Sequence, residues 1–231
     1  MSDDRYAPPT AALGDPTRER GTGRIDLGEA FREAWSATWE NFGVLLGVSL
    51  VFFVISVVAT VTIVGIFLVI PVLAWGGTRF ILNVLDGRGE MADLFSGFSD
   101  YGRVLGTMVV LMILIILLYF AGQSIQFLGQ LTGSGALETL GALVNLVWTF
   151  GVMARLAFVW YYAVDQEMAP VDAIQTSWNA TSDQKLTCAL IAILSAIIPM
   201  IGVLALIVGV IPAVMLVYLL QASAYRQLAG R

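Results

Sequence analysis

The sequence contains no histidine and a single cysteine, and only 13% of its 231 residues are charged. Without histidine the commonest general base and metal ligand is missing, so an enzyme built on this chain would have to work with Asp, Ser and Tyr. Cys188 alone cannot form an intrachain disulfide, and its place in an apolar run reads as a small buried hydrophobe rather than a reactive thiol. There is no basic run and the net charge is -5, so neither nucleic acid nor a polybasic anchor for anionic lipid is indicated. Phosphate loops, metal-ligand spacings and nucleophile triads are also lacking. No cofactor and no catalytic residue is expected.

What is abundant is apolar surface. Hydrophobic residues make up 58% of the chain and the mean hydropathy is +0.83, outside the range of soluble domains. No Asp, Glu, Lys or Arg occurs between Glu40 and Arg79, between Arg103 and Glu138, or between Lys185 and Arg226. Each gap admits one or two membrane crossings, because ~20 apolar residues at ~1.5 Å rise span the hydrocarbon core. Lipid offers an open backbone no hydrogen bonds, so a crossing must be a helix or a closed barrel strand. The gaps show no apolar-polar alternation, which predicts helices.

The fold expected is therefore all-α: a polytopic membrane bundle of six transmembrane helices in three hairpins, each hairpin preceded by a short amphipathic helix. Residues 1–24 carry mixed charge and three prolines without an apolar core, which predicts a disordered tail rather than a signal peptide. Residues 25–231 form one transmembrane domain with spans expected near 42–60, 63–85, 104–127, 140–164, 185–200 and 203–226. The first amphipathic segment places Leu27, Phe31, Ala34, Trp35, Thr38, Trp39 and Phe42 on one stripe, with Asp26 and Glu29 arranged like a capping box. A second runs through Met91, Leu94, Phe95, Phe98 and Tyr101, and a third is PVDAIQTSWNATSDQK from Pro170. Turns are expected at Thr60–Thr62, in QLTGSGALET and at PMIG, 199–202. Pro71 lies inside the second span, where it removes a backbone donor.

Arg18, Arg20, Arg24, Arg88, Arg103, Lys185, Arg226 and Arg231 all fall on one side of this layout, and Glu138 is the only charge assigned to the other. The positive-inside rule then puts both termini in the cytoplasm. Two stretches are also self-similar at a spacing of about 143 residues, the signature of an internal repeat. Ala30, Trp35, Ala37 and Thr38 match Ala173, Trp178, Ala180 and Thr181; IVG at 63–65 matches IVG at 207–209, and Leu85 with Gly87 matches Leu228 with Gly230. An even number of crossings separates the copies, so the repeats are parallel rather than inverted.

LFSGF at 94–98 before a span, Asp165 closing one, Ala173 and Ser177 on a short helix, Lys185, and a last hairpin with Pro212 and Tyr225 together resemble a known group. It is the bacterial integral-membrane families of undefined activity that include the membrane domain attached to some glycerophosphodiester phosphodiesterases. The resemblance runs from about Ile25 onward and implies a membrane scaffold. The hydrolase domain is not expected in this chain, so no catalytic residue carries over. The tail YAPPTAAL resembles leaders of small inner-membrane proteins of Gram-negative bacteria, which implies that location.

Arg155 is a basic residue inside an expected span, and an intramembrane charge is a functional candidate. It has two readings: a side chain that snorkels to the interface or pairs structurally, or a group facing a path. Gly151, one turn earlier, leaves room for a neighbour. Gln123, Gln126 and Gln130 on the third span, with Asn145 and Thr149 on the fourth, form polar stripes. They could line a water-filled path, or hold the helices together by hydrogen bonds. Asp165 and Glu167 are expected to pair with Arg103 or Lys185, a cation site being the alternative. Trp35, Trp39, Trp160 and Trp178 are candidate interfacial anchors. The function expected is non-enzymatic: a scaffold organising membrane lipids or a partner membrane protein. The alternative is a channel or transporter for a small solute or ion, possibly as a homo-oligomer.

Overall fold

The computed structural model describes residues 23–204 and 209–230, and among them every regular element is helical. In chain order these are α1 (Leu27–Glu40), α2 (Phe42–Thr60), α3 (Ile63–Leu85), a 3-10 segment (Met91–Phe98), α4 (Tyr101–Thr132), α5 (Gly135–Leu156), α6 (Val159–Asp165), α7 (Pro170–Ala180), α8 (Lys185–Leu204) and α9 (Val210–Ala229). Asp26 starts α1 by accepting the Glu29 N–H at 3.0 Å, and the Thr62 hydroxyl does the same for Gly65 at the start of α3. The tail calls at Arg18 and Arg20, the Arg231 call and the first two letters of the second IVG lie outside the described residues.

α2 and α3 have the limits read from the sequence, whereas three other expectations are corrected. α4 runs on to Thr132, so QLTGSGALET contains only a two-residue turn in which Gly133 takes the left-handed conformation (φ 66°) and Ser134 caps α5. The expected 140–164 span is two helices, broken at Ala157 and Phe158. PMIG is not a turn: Pro199 lies inside α8, which continues to Leu204. A proline at that point removes only its own N–H, and in a helix already packed on neighbours the chain can continue past it.

Among the described residues, five stretches are long and apolar enough to cross a membrane: Phe42–Thr60, Gly65–Leu85, Tyr101–Thr132, Gly135–Asp165 and Pro170–Val203. Large apolar side chains on them face outward, Phe53, Leu117 and Phe120 being 64%, 63% and 67% exposed. In water such a surface would be a liability; in hydrocarbon it is the stable arrangement. α9 differs because its second half carries Gln221, Ser223, Arg226 and Gln227, and Leu219, Leu220, Ala222, Ser223, Ala224 and Tyr225 there are wholly buried.

Close packing rests on small residues, as expected where lipid supplies no hydrophobic drive between helices. α1 lies on α9 through Ala30 and Ala34, both fully buried. A Cβ on Gly76 of α3 would collide with the Leu94 carbonyl of the 3-10 segment, and one on Gly97 with the Val72 carbonyl, so those backbones touch from both sides. α4 and α5 are zipped likewise, by Gly122 under Trp148, Gly129 under Glu138 and Gly141 under Gln126. At the centre the buried Trp75 meets Trp160 edge-on, 6.0 Å between ring centroids.

Candidate functional site

One end of the bundle gathers the charged groups. Arg79 pairs with Asp100 at 3.5 Å, and Arg103 with Asp100 at 3.9 Å and Glu167 at 3.6 Å. Arg226 near the end of α9 reaches Glu33 of α1 at 3.4 Å and Asp86 after α3 at 3.2 Å. Glu33 also accepts from the Ser223 hydroxyl, and the Tyr225 hydroxyl donates to Asp165 at 2.6 Å. Pairs this exposed contribute at most about 1 kcal/mol each, yet together they tie the first helix to the last. Glu167 thus pairs with Arg103, as the sequence reading allowed, while Asp165 takes its hydrogen bond from Tyr225.

Arg155 belongs to a different arrangement. Helix α5 ends one residue after it, and the Ser177 hydroxyl of α7 donates to the Arg155 carbonyl at 2.6 Å, satisfying one of the acceptors that a helix C-terminus leaves without an intrahelical partner. Its guanidinium lies over the Trp178 ring, 4.4 Å from the centroid, well inside cation-π range. Trp178 is therefore the partner of Arg155 as well as an outward-facing aromatic. Among the described residues, neither Arg155 nor Lys185 forms an ion pair with a carboxylate.

A cavity of about 640 Å³ opens beside this pair between α5, α7 and α8. Leu143, Val147, Gly151 and Arg155, spaced four residues apart, form one wall with Val144, Trp148 and Val152 alongside. Cys188 and Ala189 of α8 form another, and Arg155, Trp178, Thr181 and Lys185 close its charged end. A Cβ added at Gly151 would meet nothing within 4 Å, so the missing side chain is part of the open space. Cys188 is buried, as expected, and separates this cavity from a smaller one of about 360 Å³ where Gln221 donates to Ser195 at 3.0 Å.

The polar stripes do not line the larger cavity, and of their residues Thr149 lines the smaller one. Gln123 donates to the Tyr119 hydroxyl at 2.6 Å on its own helix, the Gln126 backbone sits against Gly141, and Asn145 accepts from Thr149 at 3.4 Å beside Gly122. Gln126 and Asn145 lie along the α4–α5 contact, where the Trp148 indole also donates to the Leu118 carbonyl at 2.9 Å. Of the tryptophans, Trp35 and Trp39 are 50% and 53% exposed and form a ladder with Phe31 and Phe42. Trp160 instead packs inward on Trp75. The expected α1 stripe therefore splits: Ala34 and Thr38 are buried, and Phe31, Trp35 and Trp39 are exposed.

Sequence reading singled out Arg155 and Gly151 but set Lys185 among the pairing partners of Asp165 and Glu167. The four-residue spacing from Leu143 to Arg155 was the available signal for the wall; nothing local joins it to Lys185, thirty positions on. No family model, curated protein or solved structure matches this chain.

Proposed function

We propose that this protein is a non-enzymatic integral membrane scaffold of the bacterial inner membrane that organises lipid or a partner membrane protein. Six crossings in three hairpins enter from the charged end, with α9 as the sixth and both termini cytoplasmic. The observation that carries the reading is how the intramembrane amides are used. Gln123 and Asn145 bond within their own helices, Gln126 sits at a glycine contact of the α4–α5 hairpin, and none of the three lines the larger cavity, which supports a scaffold over a path. The aromatic ladder of α1 supports an interfacial position for that helix, and the resemblance to membrane domains accompanying glycerophosphodiester phosphodiesterases agrees with a scaffold.

An internal duplication accounts for further correspondences. Ala30 and Ala173 are both fully buried, and Thr38 and Thr181 both bond back to a carbonyl four residues earlier, at 2.7 and 2.8 Å. Gly87 and Gly230 both take the left-handed conformation after α3 and α9, with φ 70° and 76°, the use of glycine that ends a helix without strain.

Reconstitution into liposomes tests the function. The scaffold reading expects no flux of ions or small solutes under an imposed gradient; flux abolished by Arg155→Leu would establish the channel instead. A reporter fused after Arg231 tests the topology, and its appearance outside the inner membrane would sink it.

A further inference from the structure

We propose that the α5–α7–α8 groove seats one acyl chain of an anionic phospholipid, with the lipid phosphate held between Arg155 and Lys185. The proposal rests on the scaffold reading and names what that scaffold holds.

Four observations converge on it. The first is size, since about 640 Å³ lies in the ~300–1,000 Å³ range of ligand sites. The second is the segregation of the lining: away from the charged end it is aliphatic and aromatic, with Leu143, Val144, Val147 and Trp148. From Leu143 to Arg155 is about 18 Å along the helix at ~1.5 Å per residue, which suits a chain rather than a compact solute. The third is charge complementarity. Arg79, Arg103 and Arg226 each face a carboxylate, whereas Arg155 and Lys185, both at the same end of the groove, have none among the described residues. The exposed Arg32 of α1 has none there either, but it lines neither cavity. The guanidinium face rests on Trp178, and stacking by the face leaves its in-plane N–H groups free for phosphate oxygens. Lys185 is exposed, and its flexible stem lets the ammonium meet the same phosphate. The fourth is Gly151, at which a Cβ would meet nothing. Its lack of a side chain is not required by any neighbouring helix, and it widens the groove midway along the wall. A zwitterionic lipid would fill the same apolar length and present the same phosphate, but it would bring its own ammonium up to two cations, whereas an anionic headgroup keeps its net negative charge, which favours the anionic lipid.

The test uses the full chain purified in mild detergent and presented with equal amounts of phosphatidylglycerol and phosphatidylcholine bearing identical chains, bound lipid being counted by native mass spectrometry. Wild type is expected to retain phosphatidylglycerol over phosphatidylcholine by roughly 30-fold, the effect of two basic groups near an anionic lipid. Arg155→Gln with Lys185→Gln should bring the ratio close to one, while Arg155→Lys with Lys185→Arg keeps a preference. Gly151→Leu should lower retention of both lipids without altering the elution profile of the folded protein. Inorganic phosphate alone should displace nothing. Equal retention of the two lipids by wild type, an unchanged preference in the double Gln variant, full retention in Gly151→Leu, or displacement by free phosphate each overturns the proposal. Solute flux through wild-type liposomes would instead remove the scaffold reading, so the two failures are distinct.

Discussion

α1 and α7 share an alanine, a tryptophan and a second alanine at the same spacing, Ala30, Trp35 and Ala37 against Ala173, Trp178 and Ala180, and are used in opposite ways. α1 presses two fully buried alanines, Ala30 and Ala34, onto α9, and its Glu33 joins Arg226, so that side of the bundle is sealed. α7 has equally buried Ala173 and Ser177, but Ser177 anchors it on the carbonyl of Arg155 and Trp178 stands over the guanidinium, leaving the 640 Å³ groove against α5 and α8. The difference teaches that one small-residue helix pattern permits either a closed contact or the lip of a cavity. The opposing helix decides which: α9 offers the small Ala222, Ser223 and Ala224, whereas α5 offers a glycine without a neighbour and an arginine without a carboxylate.

Substitutions should break the close-packed contacts, the α1–α9 side among them, and spare the open groove. The largest effect is expected from Gly76→Val, whose side chain would collide with the Leu94 carbonyl; backbone has to move, and a loss of about 3 kcal/mol or more should remove most of the monodisperse peak in detergent chromatography. Ala34→Leu, wedged between α1 and α9, should cost about 1–3 kcal/mol, read as a lower unfolding midpoint in detergent. An unchanged midpoint would mean that α1 is not held as described. Arg226→Gln strips Glu33 and Asp86 of their shared partner. Because these carboxylates are partly exposed the loss should be near ~1 kcal/mol, and high salt should shrink the difference from wild type. Gly151→Leu should have the smallest effect on stability, neutral or a few tenths of a kcal/mol stabilising, since leucine favours the helix more than glycine does. A strongly destabilised Gly151→Leu protein would show the groove to be closed, and the contrast between the two sides would vanish.

Much of the architecture was legible locally. The charge gaps and the turn residues around Thr62 place α2 and α3, because a long apolar run without charges has few other stable forms. Other boundaries were not legible. QLTGSGALET looks like a long turn by composition, yet its Glu138 is packed on Gly129 of the preceding helix and only Gly133 and Ser134 turn the chain. Glycine marks both close approach and chain reversal, and only a neighbour distinguishes them. Pro199 misled in the same way, since proline signals a break that a packed helix need not make.

The sequence by itself determined that the chain is helical and apolar, that its charges lie at particular intervals, and that no histidine or cysteine chemistry is on offer. These follow from composition and spacing, which act residue by residue. Only the tertiary structure decided which arginines are neutralised, since Arg226 meets residues 193 and 140 positions away in the chain while Arg155 meets an indole. It also brought Arg155 and Lys185 to one end of one groove, assembling a basic pair that no run of basic residues announces. The physical reason is that electrostatic and packing energies depend on separation in space, and the helix crossings that set those separations are written in no single segment.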